Sequence, residues 1–214
     1  MWQLSYQESA PSFAYLPQRW LYRAPFPRTK PYLPYPAITV AGVLEIAGQR
    51  VELTDWLGMI GHNWGREHPA RGSWMHGAGF AEQPHARVDV VLARVRVGRR
   101  LTPWIANGVL ALDGRSHRLG GVRPGATSFE ESPTGARFVR RGAGVTVHGE
   151  VGAPSARFVG WRYSDPSTGA WHPTLNCSVA DMNVVVTAPR RAERSLTLAG
   201  GPRTSCNSPS TTTV

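Results

Sequence analysis

Residues 56–80, WLGMIGHNWGREHPARGSWMHGAGF, gather three histidines and three tryptophans among closely spaced glycines. Imidazoles can relay protons or ligate metal, carboxylates can give and take protons, and indole faces can stabilise a cation through their negative quadrupole. Gly58, Gly61 and Gly65 bracket His62-Asn63-Trp64, so a bent strand with missing Cβ atoms is expected, open to close approach by backbone or ligand. Alternation puts His62 and Trp64 on one face of that strand and Trp74, His76, Ala78 and Phe80 on one face of the next. A hairpin turning between Pro69 and Gly72 would then set His62 and Trp64 beside Trp74 and His76 as an imidazole-bearing, aromatic pocket wall. The spacings of His62, His68, His76 and Glu67 match no compact zinc motif, so no metal is expected. The plainer alternative is packing: Trp and His are intermediate in burial and find hydrogen-bond partners in cores and rims.

A proton donor is wanted next to such a wall. In DVVLARVRV, alternation groups Asp89 with Val91, Ala93, Val95 and Val97, the expected interior face, and makes Asp89 the first choice; a slip of one residue would expose it. Glu67, beside His68, and Asp181, after an apolar run, are reserves. Each of the three has a structural alternative as a barrel-mouth salt bridge, a turn cap or a surface carboxylate. Trp104 in TPWIANG and Trp161 in VGWRY, flanked by glycine or small residues, would extend the cavity, or else serve as core.

The elements that must position these residues read as short strands. From Ile38 onward, alternating runs broken by glycine predict an antiparallel meander. Gly42-Val43-Leu44, Gly48 and Leu53 recur at the same offsets as Gly108-Val109-Leu110, Gly114 and Leu119. Both stretches predict tight hairpins in which Gly48 and Asp113-Gly114 supply positive φ. Residues 1–37 carry seven prolines and many aromatics, including Trp2, Tyr15, Trp20 and Tyr22, and predict an extended arm packed on the domain. Residues 38–199 form the expected β domain. Residues 200–214 are small, polar and aperiodic, and are expected to be disordered.

The 214 residues suit one all-β unit, and 23 Gly with 18 Pro argue against long helices. No run approaches 18 apolar residues, and MWQLSYQESAPS has no basic region followed by an apolar one, so a cytoplasmic protein touching membrane surfaces is expected. Formal net charge is +10, and of the 24 basic residues Lys30 alone is lysine. Such a balance suits a binder of nucleic acid or anionic lipid, or reflects a GC-rich coding bias. Cys177 sits in an apolar run and Cys206 in the polar tail, and a core of this size needs no disulfide.

HNWG, then EH, WMHG and Phe80, with YRAPFPRTKPY before and TPWIANG after, resembles the signature region of lipocalin-like proteins related to tocopherol cyclase, carotenoid 1,2-hydratase and AttH-like domains. The resemblance spans about Leu21 to Leu198. It implies an antiparallel lipocalin-like β-barrel, or a strongly curved, incomplete meander, corresponding to the second of two halves. A homodimer or a separate N-terminal half would supply the rest, and a truncated or frame-shifted product is the other expectation. It further implies acid-promoted hydration or cyclisation of an isoprenoid double bond without a cofactor. On this mapping His62 is a proton relay, Trp64 a cation-stabilising wall, and Asp89, preceded by Arg87 where the hydratases carry an aromatic, the acid. Glu67 is its reserve. Asn63, Trp74, His76, Phe80, Trp104 and Trp161 would line the ligand.

Three functions follow. The leading one is a lipocalin-like domain that encloses a carotenoid, tocopherol or quinone precursor, with or without catalysis. A non-catalytic lipid carrier, scaffold or inactive fragment is the alternative. The third is an electrostatic binder built on Arg94, Arg96, Arg99, Arg100, Arg137, Arg140, Arg141, Arg190, Arg191 and Arg194. It is disfavoured because Arg94 and Arg96 oppose Val91 to Val97 and no aromatics interleave the clusters. No nucleic acid partner is therefore expected.

Overall fold

The alternating runs become strands, and they stack as three antiparallel sheets. The computed structural model describes residues 1–8, 10–121, 127–142 and 144–200; the tail expected to be disordered, with Cys206, lies outside the described residues apart from Gly200. In the first sheet β1 (Trp2–Glu8) and β2 (Phe13–Ala14) pair along one side of β3 (Thr29–Ile46), and β4 (Gln49–Gly65) pairs along the other. β3 runs straight through residue 37, where the arm was expected to end and the β domain to begin. Pro34 and Pro36 fall where the β3–β4 register shifts, between Tyr32 and Tyr35 and between Tyr35 and Ile38, and a bulge has no ladder bond for a missing N–H to break; Pro31 stays in register opposite Asn63.

The second sheet holds β5 (Arg71–Ala78), β6 (Arg87–Arg94), β9 (Ile105–Leu112) and β10 (Arg115–Gly121) in the order β10-β9-β6-β5. A small ribbon of β7 (Arg96–Val97) and β8 (Arg100–Leu101) lies between β6 and β9 in the chain. The third sheet orders β11 (Thr127–Ser132), β12 (Gly135–Gly142), β13 (Val145–Gly152), β16 (Asp181–Thr187) and β17 (Arg194–Leu198) in sequence. A separate hairpin of β14 (Val159–Ser164) and β15 (Trp171–Asn176) lies between β13 and β16 in the chain. The protein is all-β and antiparallel. Among the described residues no sheet closes on itself, so the barrel form of the expectation is not realised. Nor is any helix of the described residues long and apolar enough to cross a membrane.

The two expected hairpin turns occur where the sequence repeats. Ala47-Gly48 joins β3 to β4 and Asp113-Gly114 joins β9 to β10, all four residues at φ between 49° and 78°. That is the signature of two-residue turns whose twist matches the flanking strands.

The main core lies between the second and third sheets. Met75, Val88, Val90, Leu92, Leu110 and Leu119 from one face meet Phe138, Val147, Met182, Val184, Leu196 and Leu198, all buried. At about 1.5–3 kcal/mol per fully buried large apolar side chain, this layer is the principal source of stability. Phe138 lies across Gly149, its cross-strand partner, where any Cβ would run into the ring. Arg140 is also fully buried, donating from Nη2 to the Ala106 carbonyl at 2.8 Å and from Nη1 to the Thr127 hydroxyl. Burial pulls its guanidinium down to about 10.

Candidate functional site

β6 is buried on both faces. Val88, Val90 and Leu92 enter the main core, while Asp89 points the other way, into the layer between the second sheet and the first. The interior face expected from alternation is thus corrected: the main core takes the even-numbered residues of β6, and Asp89 is buried by a different layer. In β5, Trp74 and His76 share the face of Asp89, since His76 and Asp89 are register partners. From across the layer comes Tyr15, immediately after β2.

These four side chains form one polar cluster in a nearly dry setting. Asp89 is 1% exposed. It accepts a short hydrogen bond from the Tyr15 hydroxyl at Oδ1, and Trp74 Nε1 donates to both oxygens at 3.3 and 3.2 Å. His76 Nδ1 lies 2.9 Å from Oδ2. Burial and the adjacent Asp89 carboxylate push the Tyr15 phenol far above its ordinary range, so it stays a protonated donor. Tyr15 is itself held in place. Arg118 Nη2 donates to its carbonyl at 2.6 Å and sets its guanidinium 5.0 Å from the centroid of Phe13, whose ring packs edge-on against Tyr15 at 5.2 Å.

Trp74 explains one glycine of the HNWG segment. A Cβ at Gly61 would come within 2.6 Å of the Trp74 ring, so the missing side chain lets β4 lie over the indole. At Gly65, φ is +141° and a Cβ would strike the Arg28 backbone. The expected close approach therefore occurs, but it comes from protein atoms.

The same geometry separates the residues that the sequence had grouped. β4 and β5 do not pair with each other; they belong to different sheets that meet face to face. Gly61 meets Trp74, so His62 and Trp64 project from the opposite, outer face of β4. Both are exposed, their rings 5.1 Å apart, with Tyr22 stacked on Trp64 at 5.5 Å. The expected juxtaposition of His62 and Trp64 with Trp74 and His76 is corrected accordingly. Asn63 is exposed. Glu67 pairs with Arg28, away from the Asp89 cluster, and Asp181 accepts from the Gly200 N–H at 2.6 Å. Phe80 is core, Trp104 packs edge-on against Phe129 with Arg71 above it, and Trp161 is 52% exposed on the β14–β15 hairpin. None of these three joins the Asp89 cluster.

Among the described residues no three His, Cys, Asp or Glu side chains are grouped as metal ligands. The arginines of the electrostatic reading are dispersed: Arg140 is buried, Arg137 pairs with Glu150, and Arg194 pairs with Asp113. Lys30, the lone lysine, is buried too, its ammonium donating to the Leu21 and Ala24 carbonyls at 2.6 and 2.8 Å.

Tyr15 was missed in the sequence as a site residue. It stands 74 positions before Asp89, one of many aromatics in the proline-rich stretch, and nothing local sets it apart from them. No family model, curated protein or solved structure matches the chain.

Proposed function

We propose that the chain is a lipocalin-like domain that takes a long apolar, isoprenoid-type molecule between its first and second sheets and adds a proton to an alkene there, through Asp89 and Tyr15. The observation that carries this reading is the Asp89 carboxylate, 1% exposed and ringed by Tyr15, Trp74 and His76. Acid chemistry on an unactivated double bond needs a proton held out of water next to aromatic faces, and this cluster offers both. In the proposed reaction Asp89, loaded as the carboxylic acid, passes its proton to one alkene carbon, while Tyr15 keeps its own and donates to the carboxylate left behind. The Trp74 face stabilises the resulting cation, and water adds to it. The proton that water loses returns to Asp89, with His76 orienting the carboxylate. The net change is addition of one water, with no cofactor consumed.

A second reading is favoured by the Arg118 contact. Tyr15, Trp74 and His76 converge on Asp89 from two sheets, and Arg118 holds the Tyr15 main chain, so the cluster also serves as a brace that fastens the segment around β2 onto the second sheet. A non-catalytic carrier or scaffold needs no more than this.

Native mass spectrometry of the full chain after exposure to a mixed isoprenoid and quinone-precursor extract separates the two. Retained ligand that gains the mass of one water, with the gain lost in Asp89→Asn and Tyr15→Phe, supports catalysis. Retained but unchanged ligand makes the protein a carrier. No retained ligand, with both variants only less stable, leaves the brace and overturns the proposal.

A further inference from the structure

Away from the Asp89 cluster, the hairpin β14–β15 pairs with no other strand among the described residues. An isolated two-stranded hairpin is marginal in water. Yet this one carries Val159, Trp161, Tyr163, Trp171 and Leu175, each between 46% and 64% exposed. The cross-strand partners Gly160–Leu175, Arg162–Pro173 and Ser164–Trp171 share one side of it. That side is open: a Cβ added at Gly160 would meet nothing within 4 Å. The other side meets the body near its tip, where His68 lies 5.9 Å from the Tyr163 ring and 5.3 Å from the His172 ring. The tip is fastened by the Ser167 N–H, which donates to the Arg66 carbonyl at 3.1 Å, and by the buried Asp165, which faces His172 at 3.4 Å.

Around the ribbon the charge left outside ion pairs is positive. Arg162 stands on its open side, exposed, and Arg66 lies against its tip next to the exposed Arg28. Arg19, Trp20, Arg23 and Phe26, neighbours in sequence of the Tyr22 that stacks on Trp64, are exposed as well, as is Trp64 itself. The two carboxylates in this neighbourhood are already engaged, Glu67 with Arg28 and Asp165 with His172. A second copy of the chain would bring the same exposed arginines against this surface, like charge facing like. An occupant of negative charge with an apolar layer beneath it is not. Trp and Tyr rings settle at the headgroup level of a bilayer, and arginines nearby pair with lipid phosphates.

We infer that the β14–β15 hairpin docks the protein on an anionic lipid bilayer, seating Trp171 and Leu175 at the headgroup level with Arg162 against the phosphates. The inference uses residues remote from the Asp89 cluster and stands or falls independently of the proposed reaction.

Flotation of the full chain with vesicles tests it, comparing pure phosphatidylcholine with phosphatidylcholine containing phosphatidylglycerol. The wild type is expected to float with the anionic vesicles and not with the neutral ones, less so as salt rises. Lipids brominated near the headgroup should quench its tryptophan fluorescence. Trp171→Ser with Leu175→Ser, and separately Arg162→Glu, should each weaken partition about tenfold while the thermal midpoint stays at the wild-type value. Arg162→Glu keeps both apolar side chains and so guards against a misfolded hairpin. Equal flotation of wild type and variants, or none with anionic vesicles, would overturn the inference. So would a dimer in sedimentation that the double variant splits, which would make a second copy the occupant.

Discussion

Two aromatic clusters in this chain are built from the same residue types and meet opposite environments. Around Asp89, the Tyr15 and Trp74 rings spend their polar atoms on one buried carboxylate, and β4 lies over the indole. On β14–β15, Trp161, Tyr163 and Trp171 stand half-exposed on a ribbon that pairs with no further strand among the described residues. The contrast teaches that a tryptophan's role is set by what the fold places opposite it. A buried one orders a polar network, and an exposed one on an unpaired ribbon invites a partner.

The sharpest way to break the comparison is Asp89→Ala. It leaves the Tyr15 hydroxyl, the Trp74 N–H and His76 buried without their acceptor, and should cost about 3–5 kcal/mol, read as a lower denaturant midpoint. Tyr15→Phe removes one donor and keeps the ring, so a loss of about 1–2 kcal/mol is expected, with faster proteolysis of the segment around β2.

The hairpin tip sharpens the comparison through pH. Burial pulls the Asp165 carboxyl up, but hydrogen bonds from the Ser167 N–H and hydroxyl, together with His172, outweigh it and hold the group below its ordinary value. A depressed carboxyl contributes stability that is fully present above its unfolded value of about 3.9 and is lost as pH falls through the lower folded value. Amide exchange in β14–β15 should therefore speed up as pH drops below about 4, after correction for intrinsic exchange, and Asp165→Asn should remove that dependence. The smallest effect belongs to Trp171→Ser, within about 0.5 kcal/mol of wild type by thermal melting, because an exposed side chain on an isolated ribbon supports no core. A large destabilisation there would mean that the hairpin packs on the body.

Much of the local structure was legible in the residues. Alternation and turn glycines located the hairpins at Ala47-Gly48 and Asp113-Gly114, because positive φ at a two-residue turn is a chain-local demand. Trp74 and His76 could be assigned one face, and Asp89 could be singled out as a carboxylate inside an apolar run. The side on which Asp89 is buried was not legible, since a strand covered on both faces reads as a continuous apolar stretch and alternation loses its reference. The prolines of residues 31–36 read as a broken segment, yet the bulged pairing with β4 carries one strand through them.

The sequence by itself determined the β class, the tight turns and the alternation of side chains along each strand, because these depend on φ/ψ preferences and on a period of two within a few residues. Only the tertiary structure decided that β4 stacks on β5 instead of pairing with it, which presents Gly61 to Trp74 and turns His62 and Trp64 outward. It alone brought Tyr15 to Asp89 and left β14–β15 unpaired with any further strand among the described residues. Which face meets which sheet is settled by burial summed over many distant residues, and a shift of a single position in that packing exchanges every inward side chain for an outward one.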